Sequence, residues 1–219
     1  MIVRYRGILF DLDGTLLDTL ADIGFYLNRT LSRYGYPLFP LDKVHSVVGW
    51  GLRTALYKIL PAEIREDDLL LSKLTKELIA DYNSNPVIKT APYPGIIELL
   101  DELKRRGIVL GIFSNKSHPV TLQVVDKTMG LSRFAAVLGS DAGFPRKPAP
   151  EGALEVIRRM GLPKSDILYI GDTIMDHETA VGAGLDDITV TWGFRTRKQL
   201  EEQGITRFID TVDEILKYF

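Results

Sequence analysis

The chain has 219 residues, with 27 Lys plus Arg against 29 Asp plus Glu, so its formal net charge is −2. Hydrophobic residues make up 45% and charged residues 26%, a globular composition that excludes a disordered or collagen-like chain. There is no cysteine, which excludes a disulfide scaffold, a thiolate metal site and a cysteine nucleophile. The near-zero net charge predicts no nucleic-acid partner and no attraction to an anionic membrane.

No targeting or membrane segment is expected. The first apolar stretch stops at Asp11 after three residues, whereas the apolar region of a signal peptide spans about 7–15. No run approaches the roughly 18 apolar residues of a membrane span. Together with the lack of cysteine, these features predict a cytoplasmic protein. We expect a monomer or a homodimer.

Apolar runs of strand length alternate with helical patterns along most of the chain. Such runs, separated by helices, predict a parallel sheet with both faces covered. The predicted strands are residues 7–10, 108–113, 135–138, 167–170, 188–190 and, more weakly, 208–209.

This alternation of strand and helix patterns is interrupted between Leu16 and Pro92, where no convincing strand is found. Helical spacing of apolar residues predicts helices over residues 21–34, 52–60 and 64–82, and a proline-rich linker over 83–94. The predicted fold is therefore α/β, with a Rossmann-like parallel sheet core formed by residues 1–15 and 92–219. An α-helical domain with its linkers, residues 16–91, is inserted after the first strand.

The first candidate site follows the first strand directly, in the segment Asp11–Thr15 (DLDGT). Asp11 and Asp13 point to the same side of an extended chain, because side chains alternate with a period of two. Two carboxylates this close repel each other unless a cation lies between them or one holds a proton. Taken alone, the segment is equally typical of a turn with capping aspartates.

Three further polar segments follow later strands or lie in a loop. Ser114-Asn115 is typical of a helix N-cap, and a lone loop lysine such as Lys147 is usually a solvated charge. In Gly171–Asp176 (GDTIMD), Thr173 and Asp176 match a capping box. A purely structural explanation is weaker for Asp172 than for Asp176, since a charge directly after a buried strand needs a partner.

Taken together, these segments indicate chemistry more strongly than any of them does alone. Asp11, Ser114 and Asp172 each end a predicted parallel strand, and ligands of open α/β sheets bind at the carboxyl ends of the strands. Carboxylate ligands without His or Cys suit Mg²⁺, which binds substrate phosphate. The candidate metal ligands are Asp11, Asp13, Asp172 and Asp176, and Lys147 is placed to neutralise phosphate oxygens.

The ordered set of DLDGT, Ser114-Asn115, Lys147-Pro148 and GDTxxD resembles the haloacid dehalogenase superfamily of phosphohydrolases, whose small cap the helical insertion also resembles. Three shorter segments resemble the phosphoglycolate phosphatase branch of that superfamily. They are residues 48–52 (VGWGL), 92–95 (PYPG) and 191–194 (TWGF).

The resemblance implies a role for each matching residue. Asp11 is the nucleophile that forms an aspartyl-phosphate, and Asp13 is the acid and base whose backbone carbonyl also contacts the metal. Thr15 holds Asp13 in position. Ser114, Asn115 and Lys147 bind the transferring phosphoryl group, Asp172 binds Mg²⁺, and Asp176 binds it directly or through water.

In the cap, Gly49, Trp50 and Arg53 are candidate substrate-binding residues. Two glycines around an aromatic residue suggest a backbone that approaches a ligand, and the Arg53 fork suits a substrate carboxylate. The alternative is a helix-entry loop with a packing tryptophan and a surface arginine.

The resemblance implies a Mg²⁺-dependent phosphatase acting on a small phosphorylated metabolite, foremost 2-phosphoglycolate. Asp13 argues against the dehalogenase and phosphonatase branches, which lack an acid there. The alternatives left open are a β-phosphoglucomutase-like sugar-phosphate mutase and an inorganic pyrophosphatase. An alternative from a different class of function is a non-catalytic scaffold that only binds a phosphorylated ligand.

Overall fold

The computed structural model describes residues 5–219, so the first four residues of the predicted core lie outside the described part. The chain divides into two compact units. The core unit consists of the described residues up to Asp18 together with Ala91–Phe219, and the insertion unit is Thr19–Thr90.

A parallel sheet forms the centre of the core unit. The strands of the chain are β1 (Gly7–Phe10), β2 (Leu17–Asp18), β3 (Ala91–Pro92), β4 (Val109–Ser117), β5 (Ala136–Ser140), β6 (Ile167–Gly171), β7 (Asp186–Val190) and β8 (Phe208–Ile209). The central sheet has the order β5-β4-β1-β6-β7-β8, and every neighbouring pair in it is parallel.

The helices of the core unit are α5 (Ile96–Arg105), α6 (His118–Thr128), α7 (Glu151–Met160), α8 (Ile174–Ala183) and α9 (Arg197–Glu202). Those of the insertion unit are α1 (Leu20–Arg33), α2 (Leu52–Ile59), α3 (Ala62–Arg65) and α4 (Asp68–Ser84). Short 3₁₀ turns cover Leu41–Ser46, Leu131–Arg133, Lys164–Asp166 and Val212–Tyr218.

The central strands are apolar because both of their faces are covered. All residues of β1 and β6 are buried, and one cluster of side chains joins Leu9, Phe113 and Tyr169 of the sheet to Val156 and Met160 of α7. A strand buried on both faces reads as a continuous apolar run, which is why the sequence predicted these strands. The predicted α/β fold with a Rossmann-like parallel sheet is confirmed.

Two local predictions are wrong. The interval from Leu16 to Pro92 does contain strand, since Leu17 pairs with Pro92 and Asp18 with Ala91 in a short antiparallel ladder. Two-residue strands carry no periodic signal. The single helix predicted over 64–82 is two helices, because Asp67 caps the second by accepting a hydrogen bond from the Leu70 amide at 2.9 Å.

The ends of the insertion unit are joined by a buried carboxylate. Asp22 of α1 accepts hydrogen bonds from the backbone amides of Ile88, Lys89 and Thr90 at 2.8–3.0 Å, and from the Thr90 hydroxyl at 2.7 Å. These bonds satisfy backbone donors that no regular element uses. The unit boundaries lie after Asp18 and before Ala91, compared with the predicted boundaries after Thr15 and before Pro92.

Within residues 5–219, no helix combines the length and the apolar character needed to cross a membrane.

Candidate active site

The strand order brings the predicted site residues of the core unit to one edge of the sheet. β1 lies between β4 and β6, so the ends of these three strands are adjacent. Asp11 follows β1, Ser114 lies in β4 and Asp172 follows β6. After β1 the chain adds β4 and β5 on one side of that strand, and then β6, β7 and β8 on its other side. Such a topological switch point opens a crevice at the carboxyl ends of the strands.

A buried lysine joins two of the carboxylates. The Lys147 Nζ donates to Asp11 Oδ1 at 2.5 Å and to Asp176 Oδ1 at 2.6 Å. All three side chains are almost completely buried. An ammonium group is buried only when its charge is paired, so the interpretation of Lys147 as a solvated loop charge is wrong.

Asn115 fixes the loop that carries this lysine. Its side-chain oxygen accepts a hydrogen bond from the Lys147 backbone amide at 2.8 Å, and its side-chain nitrogen donates to the Lys147 carbonyl at 3.3 Å. An amide side chain that hydrogen bonds to both the N–H and the C=O of one residue fixes the position of that residue's backbone. Asn115 thus positions Lys147.

Asp176 serves the start of α8 and the polar cluster at the same time. Its Oδ2 accepts a hydrogen bond from the Thr173 amide at 3.1 Å, as the predicted capping box requires, and a further one from the Thr173 hydroxyl at 2.6 Å. Its Oδ1 accepts from Lys147 and from the Tyr169 hydroxyl, the latter at 3.1 Å. A Cβ at Gly171 would lie 2.3 Å from the Asp176 Cβ, so only glycine permits this approach.

Asp172 lies in a cradle made by two glycines. Its Oδ2 accepts a hydrogen bond from the Phe194 amide at 2.8 Å, while its buried Oδ1 has no hydrogen-bond partner among the described residues. A Cβ at Gly14 would lie 2.3 Å from Asp172 Oδ2, and a Cβ at Gly193 would lie 2.4 Å from the Asp172 Cβ. A buried polar atom without a partner costs about 1–3 kcal/mol, which a ligand at this oxygen would relieve.

Burial and mutual repulsion change the protonation of the carboxylates. Burial raises the pKa of Asp11 to about 7, although the Lys147 ammonium beside it acts in the opposite direction. Burial, followed by the charges of Asp11 and Asp176, raises the pKa of Asp172 well above its usual range. Burial alone would lower the pKa of Lys147, but the adjacent Asp11 and Asp176 outweigh it and raise that pKa.

The donor set fits a divalent cation. One carboxylate oxygen each from Asp11, Asp172 and Asp176 lies within 4.8 Å of the others. When ionised they contribute −3 against +1 from Lys147, which leaves −2 for a cation to balance. The partnerless Oδ1 of Asp172 and the all-oxygen donors suit a hard cation.

Asp13 and Thr15 make contacts that the sequence analysis did not predict. Asp13 Oδ2 lies 3.0 Å from the Lys116 Nζ, and its side chain is not among the three clustered carboxylates. The Thr15 hydroxyl donates to Asp11 Oδ2 at 3.4 Å. The Thr15 carbonyl in turn accepts a hydrogen bond from the Trp192 indole at 3.1 Å.

Ser114 is not a helix cap. Helix α6 begins at His118 with Ser117 at its N-cap, so the capping interpretation is wrong. The Ser114 side chain is buried within β4, and its Oγ accepts a hydrogen bond from the Lys116 amide at 3.2 Å.

The candidate residues of the insertion unit lie on a loop and the helix that follows it. Gly49 and Gly51 have φ of +109° and +87°, and Trp50 between them is half exposed. These glycines adopt a conformation that other residues rarely take. Arg53, in the first turn of α2, is exposed and donates to Ser72 Oγ at 3.5 Å.

Sequence reasoning missed three contributors to the site. The Phe194 amide holds Asp172, the Tyr169 hydroxyl holds Asp176, and Lys116 contacts Asp13. Lys116 had a usable signal, because it follows Ser114-Asn115 directly. A backbone amide and a tyrosine inside an apolar strand carry no such signal.

The haloacid dehalogenase-like hydrolase model matches residues 8–190, which is most of the chain. The chain belongs to this family. The predicted resemblance is therefore confirmed, and with it the prediction of a hydrolase.

Curated relatives extend the match to the phosphoglycolate phosphatase branch. A protein of Aquifex aeolicus named phosphoglycolate phosphatase is 32% identical over 208 residues, covering 94% of this chain and 95% of the relative. One of Agrobacterium fabrum with the same name is 34% identical over 190 residues, covering 85% and 80%. Among solved structures, a Lactobacillus delbrueckii subsp. bulgaricus protein provisionally given that name superposes with a TM-score of 0.88 at 28% identity, covering 97% of both chains. As a member of this branch, the chain is a phosphoric monoester hydrolase.

Proposed function

We propose that the protein is a Mg²⁺-dependent phosphatase that hydrolyses 2-phosphoglycolate through an aspartyl-phosphate on Asp11. The observation that carries the proposal is the buried group of Asp11, Asp172 and Asp176 around Lys147, at the switch point of the sheet. The names of the curated relatives support the choice of substrate. A cytoplasmic location and a monomeric or homodimeric state are parts of the same proposal.

In the first step Asp11 attacks phosphorus, so an Asp11 oxygen–phosphorus bond forms as the ester oxygen–phosphorus bond breaks. Asp13 gives its proton to the leaving alkoxide, and Ser114 and Lys147 stabilise negative charge on the transferring phosphoryl group. In the second step Asp13 accepts a proton from the attacking water, phosphate leaves, and the Asp11 carboxylate is regenerated.

The bound cation, held by Asp11, Asp172 and Asp176 together with the Asp13 carbonyl, would neutralise charge on the phosphoryl oxygens. Burial suits this chemistry, because electrostatic interactions are stronger away from water. The protein's own residues position the reacting groups. The Asn115 side chain holds the Lys147 backbone, and the Phe194 amide holds the Asp172 carboxylate.

The substrate assignment is tested by phosphate release from a panel of metabolite phosphates, with and without Mg²⁺. The expected result is the highest kcat/KM for 2-phosphoglycolate, and release that a chelator abolishes. A mutase would return phosphate to a sugar phosphate and release almost none, and a pyrophosphatase would prefer pyrophosphate. Binding without any release would point to a non-catalytic scaffold.

The role of Arg53 is tested by Arg53→Ala. If the guanidinium pairs with the substrate carboxylate, KM for 2-phosphoglycolate is expected to rise roughly 10-fold or more, since a hydrogen bond to a charged group contributes about 1.5–3 kcal/mol. Steady-state kinetics measure this, and Lys58→Ala, at another exposed lysine or arginine position of the same helix, is the matched control. An unchanged KM in Arg53→Ala would leave this arginine as a surface residue.

A further inference from the structure

Lys116 is a second buried lysine at the site, and the steps above give it no role. Its side chain is 6% exposed, and its Nζ lies 3.0 Å from Asp13 Oδ2. It is thus separate from the Lys147 pairing with Asp11 and Asp176. A buried lysine held on the carboxyl group that serves the leaving group is placed to act on the substrate's other half.

An irregularity in β4 places this residue. Phe113 pairs with Leu138 and Ser117 with Ser140, so four steps along β4 are matched by two steps along β5. Ser114, Asn115 and Lys116 form the resulting bulge, and bulges beside active sites redirect side chains.

Two contacts hold the bulge in place. The Gly139 amide hydrogen bonds to the His118 Nδ1 at 3.2 Å, and the Lys116 carbonyl accepts from the Thr121 hydroxyl at 3.1 Å. A Cβ at Gly139 would lie 2.6 Å from that same carbonyl oxygen, so the glycine in the adjacent strand β5 leaves the space that this oxygen occupies.

We propose that Lys116 selects the substrate by binding an anionic group on the alcohol half of the phosphate ester. This inference rests on the proposed function, in which Asp13 delivers a proton to the ester oxygen. That oxygen must lie within hydrogen-bonding reach of Asp13, and Lys116 contacts the same carboxyl group. An anionic group close to the ester oxygen therefore falls within reach of the Lys116 ammonium.

The chemistry of 2-phosphoglycolate satisfies this condition. Its carboxyl carbon is two bonds from the ester oxygen, the shortest spacing that a hydroxy acid allows. The flexible four-carbon stem of lysine lets one ammonium contact both Asp13 and the substrate carboxylate. An ester with an uncharged alcohol half gains nothing from this cation.

The alternative is that Lys116 only orients Asp13. The two roles differ in their dependence on the substrate. An orienting role affects every ester equally, because each needs a proton on its leaving oxygen. A selecting role affects only esters whose alcohol half is anionic, so the informative quantity is a ratio of kcat/KM values.

The experiment measures kcat/KM for 2-phosphoglycolate and for ethyl phosphate, which replaces the carboxylate with a methyl group. In Lys116→Gln the amide still donates to Asp13 but the positive charge is gone. The ratio of 2-phosphoglycolate to ethyl phosphate is expected to fall roughly 10–100-fold, and Lys116→Arg is expected to retain most of it. O-phosphoethanolamine, with an ammonium in place of the carboxylate, is expected to improve relative to ethyl phosphate.

Lys127→Gln, on the exposed face of α6, controls for the change in net charge, and Lys116→Met provides a second charge-free variant if the glutamine variant does not fold. Equal losses for both esters, or no loss, would overturn the role of Lys116. A wild-type enzyme that cleaves ethyl phosphate as efficiently as 2-phosphoglycolate would instead contradict the proposed substrate, and the selecting role with it.

Discussion

Replacing Asp11 with asparagine is expected to lower kcat by at least about 10³-fold. Loss of a catalytic nucleophile has effects of this size or larger, and an amide oxygen does not form the acyl-phosphate that the mechanism requires. The change is close to isosteric. Lys147 keeps its hydrogen bond to Asp176, so its buried ammonium still has a carboxylate partner. Phosphate release and trapping of the phosphorylated protein are the measurements.

The same substitution is expected to stabilise the metal-free protein at pH 8. The pKa of Asp11 is about 7 in the folded chain, above the value of about 3.9 for an unfolded aspartate. Between these values the unfolded chain holds fewer protons than the folded one, so the stability contributed by Asp11 falls as pH rises. Asparagine removes this dependence, and the Tm difference between variant and wild type is expected to disappear below about pH 4.

Asp126→Asn, which changes an exposed carboxylate on α6, is the matched control for both measurements and is expected to alter neither. Turnover that persists in Asp11→Asn would exclude the covalent mechanism. If turnover is lost together with a large fall in Tm, the loss would be a folding defect rather than a missing nucleophile.

The parts of the molecule that the sequence predicted best have strong local signals. β1 and β6 are buried on both faces, which makes them continuous apolar runs. The capping box at Thr173 and Asp176 is likewise local, with two side chains three residues apart.

Contacts between distant segments were not predictable in this way. Lys147 meets Asp11 only because the loop after β5 folds over the end of β1, and a lysine in a Gly/Pro-rich loop resembles a solvated charge. The bulge that redirects Lys116 depends on the pairing of β4 with β5, which no single segment encodes. Predicting contacts between residues of distant segments therefore required either the structure or the family resemblance.

Removing divalent cations is expected to abolish turnover, and adding Mg²⁺ is expected to restore it. The three ionised carboxylates exceed the charge of Lys147, and Asp172 Oδ1 has no hydrogen-bond partner among the described residues. A cation at this place would supply both the missing charge and the missing contact. Activity that a chelator leaves unchanged would exclude the proposed site.

The variant Asp172→Asn tests metal binding by its effect on Tm, a measurement that does not depend on turnover. Because burial and the charges of Asp11 and Asp176 disfavour an ionised Asp172, the metal-free variant is expected to have a higher Tm than the wild type at pH 8. The rise in Tm that Mg²⁺ produces in the wild type is expected to be lost, while Asp126→Asn keeps it. An equal Mg²⁺-induced rise in Asp172→Asn would place the cation elsewhere.

The pH dependence of metal binding follows from the same carboxylates. In the metal-free protein the pKa of Asp11 is about 7 and that of Asp172 is raised well above its usual range, so below pH 7 a cation must displace protons to bind. Each displaced proton weakens apparent affinity roughly 10-fold per pH unit of acidification. Titration calorimetry between pH 6 and 8 is therefore expected to show weaker Mg²⁺ binding at the acid end, with proton release to the buffer. Binding that does not change across this range would mean that the cation does not contact these carboxylates.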